Sequence, residues 1–170
     1  MTLPLLEPEN KMLVSIPPEI QERIVAEFVR DGRDHEIAWG VFGRRHESYL
    51  SVFCIVRCEK NPSLNQTDID HDKLMQAAAF LLAGFGDVDL LGIVHSHPHS
   101  GFYPSATDHQ ADVNWLREND DEIGLFGIVC THSTATVLNW FVLKSGVYSE
   151  AQVEHDKGTA WQAWQKEVDQ

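Results

Sequence analysis

The chain has 170 residues, with 13 lysines and arginines against 26 aspartates and glutamates, giving a formal charge of −13. That length fits one domain, and a hydrophobic fraction of 43% supplies a core, which excludes disorder for most of the chain. The acid excess excludes a surface built to hold DNA or RNA by its phosphates or to dock on anionic lipid, and favours neutral or basic protein and peptide partners. Cys54, Cys58 and Cys130 form no CxxC pair and are odd in number, so they read as reduced thiols on strands. The N-terminal MTLPLLEPENK has no basic region followed by an apolar run, and Ala77–Phe85 and Leu90–Val94 are too short to span a bilayer. A soluble, cytoplasmic protein is expected.

Residues 1–10 form a polar lead-in, and Lys11–Ile16 reads as a first strand. Pro17-Pro18 open a helix, a position that tolerates proline, and Ile20, Ile24, Val25, Phe28 and Val29 give it one apolar stripe before Asp31-Gly32. Glu36–Gly43 and Tyr49–Cys58 read as a hairpin of strands around Arg44–Ser48. A second helix is predicted over Asp70–Ala83, closed by Gly84 and Gly86. The strand Asp89–His97 follows, with an apolar run that suggests burial on both faces. A helix from about Ser105 to Glu118, strands Gly124–Thr131 and Thr136–Lys144, and a terminal helix over 149–170 carrying Trp161 and Trp164 complete the order. The expectation is one α/β (α+β) domain: a core over 11–148 with a mixed central sheet flanked by helices, and a C-terminal helix packed on it.

The chemistry is concentrated in Gly92–Asp112, GIVHSHPHSGFYPSATDHQAD. His95 and His97 are two apart at the end of a strand, so both imidazoles project from one face, and Pro98 stops the strand beside a loop. Asp108, in the first turn of the next helix, can return a carboxylate to the same point. Two histidines and an aspartate are ligand types that zinc accepts, and three protein ligands leave a fourth position for water, as in catalytic sites. Ser105 is either a hydroxyl donor for an oxyanion or the N-cap of its helix.

His95-Ser96-His97-Pro98 followed by Ser105-Ala106-Thr107-Asp108 resembles the JAMM motif of the MPN+ metalloproteases. Upstream, Glu36-Ile37-Ala38-Trp39-Gly40-Val41-Phe42-Gly43 is similar to the segment that carries the family's glutamate, with Trp39 where the family commonly has its first glycine. The resemblance covers roughly Lys11–Lys144. It implies a JAB-type fold of cytidine-deaminase-like architecture, Zn2+ held by His95, His97 and Asp108, Glu36 as general acid/base and Ser105 as oxyanion donor. It further implies a peptidase or isopeptidase cutting after the C-terminal glycine of a ubiquitin-like or sulfur-carrier protein. The chain looks like the compact prokaryotic members, which act in sulfur-carrier processing, modifier removal, antiphage operons and phage tail assembly.

Two other readings use the same residues. RadC-like proteins, associated with DNA repair, share the His-x-His-Pro…Ser-x-x-Asp spacing, but a charge of −13 opposes DNA binding. An MPN interaction module with a silent metal site is the non-enzymatic reading. His99 and His109 flank the ligand set and read as exposed or supporting residues, His35 falls on the opposite strand face from Glu36, and His132 reads as a loop residue. Phe102 and Tyr103 either grip a substrate tail or pack locally, while Trp39, Phe42, Phe53 and Trp140 read as core.

Overall fold

The structure, a computed structural model, describes residues 12–63, 67–99 and 101–154. Strand β1 (Leu13–Ser15) leads into helix α1 (Pro18–Asp31), then strands β2 (Ala38–Arg45) and β3 (Tyr49–Arg57). Two short strands, β4 (Glu59–Lys60) and β5 (Asp68–Ile69), precede helix α2 (His71–Phe85). Strand β6 (Asp89–His97), helix α3 (Ala106–Glu118) and strands β7 (Ile123–His132), β8 (Ala135–Lys144), β9 (Val147–Glu150) and β10 (Gln152–Glu154) follow.

Eight of the strands form one mixed sheet in the order β10-β1-β3-β2-β6-β7-β8-β9, and β4 pairs with β5 apart from it. Side chains alternate across the sheet, so each face needs its own cover. On one face α1 lays Ile20, Ile24 and Phe28 over Trp39, Val41, Val94, Leu125 and Trp140. On the other, Leu74 and Leu81 of α2 and Trp115 and Leu116 of α3 cover Phe42, Ile93, Phe126 and Phe141. The result is a single mixed α+β domain, as expected, and the four aromatics read as core are all buried.

The functional strand is placed by two constraints. β6 and β7 run parallel with α3 as their crossover, which puts the end of β6 and the start of α3 on the same edge, outside the carboxyl end of a strand where open sheets bind ligands. Against β2, the register of β6 slips at Leu91: Val41 pairs with Gly92, yet Phe42 pairs with Leu90. This one-residue bulge resets the alternation, so that Ile93, His95 and His97 share the face covered by α2 and α3. Gly92 sits at the same place, where a Cβ would lie 1.8 Å from the Leu125 carbonyl oxygen.

Several expectations are corrected. Glu36 precedes β2 instead of lying within it. The α1 stripe is narrower than predicted, because Val29 is exposed. Gly84 lies inside α2, whose end is set by Gly86 at φ 74°, a conformation glycine adopts without strain. His132 ends a strand. Residues 149–150 and 152–154, expected to begin a helix, are strand: β9 pairs with β8, and β10 pairs with β1 while Val153 packs on the core. Three residues are too few to show a period in sequence. The 1–10 lead-in and the part of the predicted helix with Trp161 and Trp164 lie outside the described residues. Cys58 and Cys130 are buried, Cys54 is half-buried, and all three thiols are free. Among the described residues no helix is long and apolar enough to cross a membrane.

Two glycines test this packing in opposite directions. Gly92→Ala drives a methyl group into the β7 backbone, and urea denaturation should show a loss of about 3 kcal/mol, at the upper end of overpacking costs, or failure to fold. Gly84→Ala meets nothing within 4 Å in the last turn of α2, and should raise stability by up to about 0.5 kcal/mol.

Candidate metal centre

Ile37, the residue after Glu36, is fixed by Ser96, which lies between the two histidines. The Ile37 N–H donates to Ser96 Oγ at 2.9 Å, and the Ser96 N–H donates to the Ile37 carbonyl at 2.9 Å. The Glu36 N–H in turn donates to the Ser63 carbonyl at 2.8 Å. The glutamate is thereby carried on a braced segment beside the end of β6, and its side chain lines the same cavity as His95, His97 and Asp108.

His95 and His97 bring their Nε2 atoms to 2.8 Å from each other. Asp108 faces both, with Oδ1 at 3.2 Å from His95 Nε2 and Oδ2 at 3.2 Å from His97 Nε2. The three ligand atoms lie within 4.8 Å of one another, a set that could hold a metal ion. His97 Nδ1 is 2.7 Å from the Gly101 carbonyl oxygen. A carbonyl only accepts, so Nδ1 carries a proton and the ring turns Nε2 towards the cluster. Ring nitrogens and carboxylate crowd together only if positive charge lies among them, either protons on the imidazoles or a metal ion. Donor atoms at 2.8–3.2 Å are close to the edge of about 3.3 Å that a tetrahedron with zinc–nitrogen bonds of about 2.05 Å would have. The donor set therefore fits a zinc-type ion.

Asp108 is held by the start of its own helix. Ser105 is the N-cap of α3: its Oγ accepts from the Asp108 N–H at 3.1 Å, while the Ser105 N–H and Oγ–H donate to Asp108 Oδ2 at 2.7 Å and 2.8 Å. This reciprocal box satisfies backbone groups at the helix start and fixes the carboxylate towards the histidines. The sequence left Ser105 as cap or oxyanion donor; in the structure its hydroxyl caps the helix.

Burial alone would push the Asp108 carboxyl up, but the hydrogen bonds from His95 and His97 outweigh it and hold the group well below the usual carboxylate range. Glu36 goes the other way. Half-buried, with no hydrogen bond comparable to those on Asp108, its carboxyl is raised by desolvation, against the opposing pull of the two histidines. The other glutamates weighed in sequence have different surroundings. Glu47 is exposed, and Glu59 is hydrogen-bonded to Arg57 and to the Ala38 N–H.

The remaining histidines stay out of the cluster. His109 Nε2 meets the Gly146 carbonyl at 2.8 Å, His132 meets Phe102 edge-on at 4.9 Å, and His99 is exposed on the cavity rim. Phe102 packs locally, whereas Tyr103, 48% exposed, lines the cavity. Sequence reasoning missed Asp112 and Trp115, which also line it. Their spacing from Asp108, four and seven residues along a helix, was the available signal. Asp112 accepts a 2.5 Å hydrogen bond from the Tyr148 hydroxyl, and burial pushes its carboxyl up to about 7.

The chain matches the family of prokaryotic homologs of the JAB domain over residues 17–161. It belongs to that family, which includes metalloproteases, and the mixed sheet with its three helices is a JAB/MPN fold. Among solved structures, the solution structure of protein DSY2949 from Desulfitobacterium hafniense is similar in fold, with a TM-score of 0.64 and 19% identity over 84% of this chain and 92% of that one. No curated protein matches the sequence.

Two measurements check the centre. Zinc at a hundred times its dissociation constant should stabilise the fold by about 2.7 kcal/mol, read as a rise in thermal midpoint that chelator reverses and His95→Ala removes. Ser105→Ala should cost about 1 kcal/mol of metal-free stability through loss of the cap, read by denaturant titration.

Proposed function

We propose that the chain is a zinc-dependent peptidase or isopeptidase that hydrolyses the bond after the C-terminal glycine of a ubiquitin-like or sulfur-carrier protein. The observation that carries this reading is the meeting, on one open cavity of about 640 Å³, of the His95–His97–Asp108 donor set with the half-buried Glu36 carboxylate. A silent module has no need for a fourth group of this kind beside a complete ligand set. The −13 charge supports a neutral or basic protein partner over nucleic acid.

In this reading His95, His97 and Asp108 hold the ion, which when bound supplies Lewis acidity at a carbonyl and brings a water's pKa near neutrality. Glu36 accepts a proton from the attacking water as its oxygen bonds to the carbonyl carbon. It returns that proton to the leaving nitrogen as the C–N bond breaks, so that one water is consumed and a carboxylate and an amine are formed. A carboxyl raised by burial suits both halves of that exchange better than one held low. Ser105 turns its hydroxyl from Asp108 to the developing oxyanion, while its backbone N–H keeps Asp108 in place. The proposed setting is the cytoplasm, where three free thiols stay reduced.

The test uses a small sulfur-carrier protein joined through its C-terminal Gly-Gly to a fluorescent reporter. The zinc-loaded protein should release the reporter, and chelator should stop it. Glu36→Gln should lower kcat by about 10²–10⁴ while binding one zinc per chain. Equal cleavage by this variant would remove Glu36 from its role, and an uncut fusion would remove the peptidase.

A further inference from the structure

The cavity at the metal centre extends well past the donor cluster, and its walls descend from it in two ladders. On β6, His97, His95 and Ile93 share a face, so Ile93 lies about 6.6 Å along the strand from His95. On α3, Asp108, Asp112 and Trp115 line the same cavity, and Trp115 lies about 10 Å along the helix from Asp108. Ile69 of β5, with Thr67 two residues before it, also lines the cavity. Polar ligands therefore occupy one end, and Ile93, Trp115 and Ile69 form an apolar floor at the other, with exposed Ala111 at the rim. The carboxylate between the two ends, Asp112, is already bonded through Oδ2 to the Tyr148 hydroxyl.

We propose that this apolar end is a substrate subsite for a bulky apolar side chain on the third residue back from the scissile bond, so that the preferred tail is apolar-Gly-Gly. The inference rests on the peptidase reading above and goes beyond it by naming the residue that selects the substrate. An extended chain advances about 3.3 Å per residue and repeats its facing every second residue. With the scissile glycine over the donor cluster, the residue two places back lies about 6.6 Å away and faces the same wall. That offset equals the step from His95 to Ile93. The intervening glycines have no side chains and pass between the close polar walls. A third residue with an aliphatic or aromatic side chain removes apolar floor from water, whereas glycine there leaves it wet and a basic side chain must compete with the Tyr148 hydroxyl for Asp112.

The test varies that one position in the sulfur-carrier–reporter fusion, with leucine, glycine or arginine before the two glycines. The zinc-loaded protein should cleave the leucine fusion with kcat/KM about tenfold or more above the glycine fusion, and Ala111→Phe, which fills the rim of the subsite, should bring the ratio near one. Equal rates for leucine and glycine, a preference for arginine, or an unchanged ratio in Ala111→Phe would overturn the subsite and leave the peptidase standing. If no fusion is cut, the peptidase reading fails, and binding decides the subsite. N-acetyl-leucinamide titrated into methyl-labelled protein should shift the Ile69 and Ile93 methyl resonances where N-acetyl-glycinamide does not. Absent or equal shifts would overturn it.

Discussion

With its Nδ1 proton given to the Gly101 carbonyl, His97 turns Nε2 towards His95 Nε2 at 2.8 Å and Asp108 Oδ2 at 3.2 Å. Those contacts are repulsive until a proton or metal ion sits among them, and more so in a partly buried site, where water screens them less. The protein does not let the groups separate to relieve this. Both imidazoles are fixed to a central strand, hydrogen-bonded on each side by β2 and β7, and the carboxylate is tied to a helix cap by two donors from Ser105. A flexible site would splay open; this one holds a standing demand for positive charge.

What keeps the site rigid lies mostly in backbone geometry. The bulge at Leu91 decides which face of the sheet the histidines take, because without it the alternation would send them under α1 instead of into the cavity. Gly92 lets β7 approach at that point, and Gly40 lets Leu74 of α2 sit against the sheet where a Cβ would come within 2.4 Å of it. Ser96 joins the two halves of the site, since its hydroxyl and N–H brace Ile37 and so set Glu36 beside the ligands. The residue between the histidines does as much to assemble the centre as those that form it.

Much of this was legible in sequence, and the reasons differ by residue. β6 was read with its observed ends, because Leu90, Leu91, Ile93 and Val94 form an apolar run and Pro98 stops it. α3 was legible from Ser105 and Asp108, a capping pair whose spacing is also that of the metal motif. Glu36 was not legible from chemistry alone: at the edge of a strand it looked no different from Glu47 or Glu59, and only the family resemblance selected it. Folding separates the three through long-range contacts, with Arg57 taking Glu59 and the Ser96 brace presenting Glu36. The two-residue strands β4 and β5 and three-residue β10 carry no detectable period, so they were read as loop or as helix. The bulge was invisible for a related reason, since an extra residue in a wholly apolar run leaves the pattern unchanged.

The two carboxylates with proposed roles are displaced in opposite directions by their surroundings. Burial tends to raise both, but Asp108 receives hydrogen bonds from two histidines and a backbone N–H, and stays an anion. Glu36, near the same histidines without such bonds, remains raised. A permanent anion suits a ligand, and a carboxyl that gains and loses a proton more readily suits a proton carrier. One cavity obtains both from the same functional group by changing what each is bonded to. The net charge of −13 could not reveal this, because it counts every acid alike. What separates Glu36 and Asp108 from the other acids is the partners that the fold supplies or withholds.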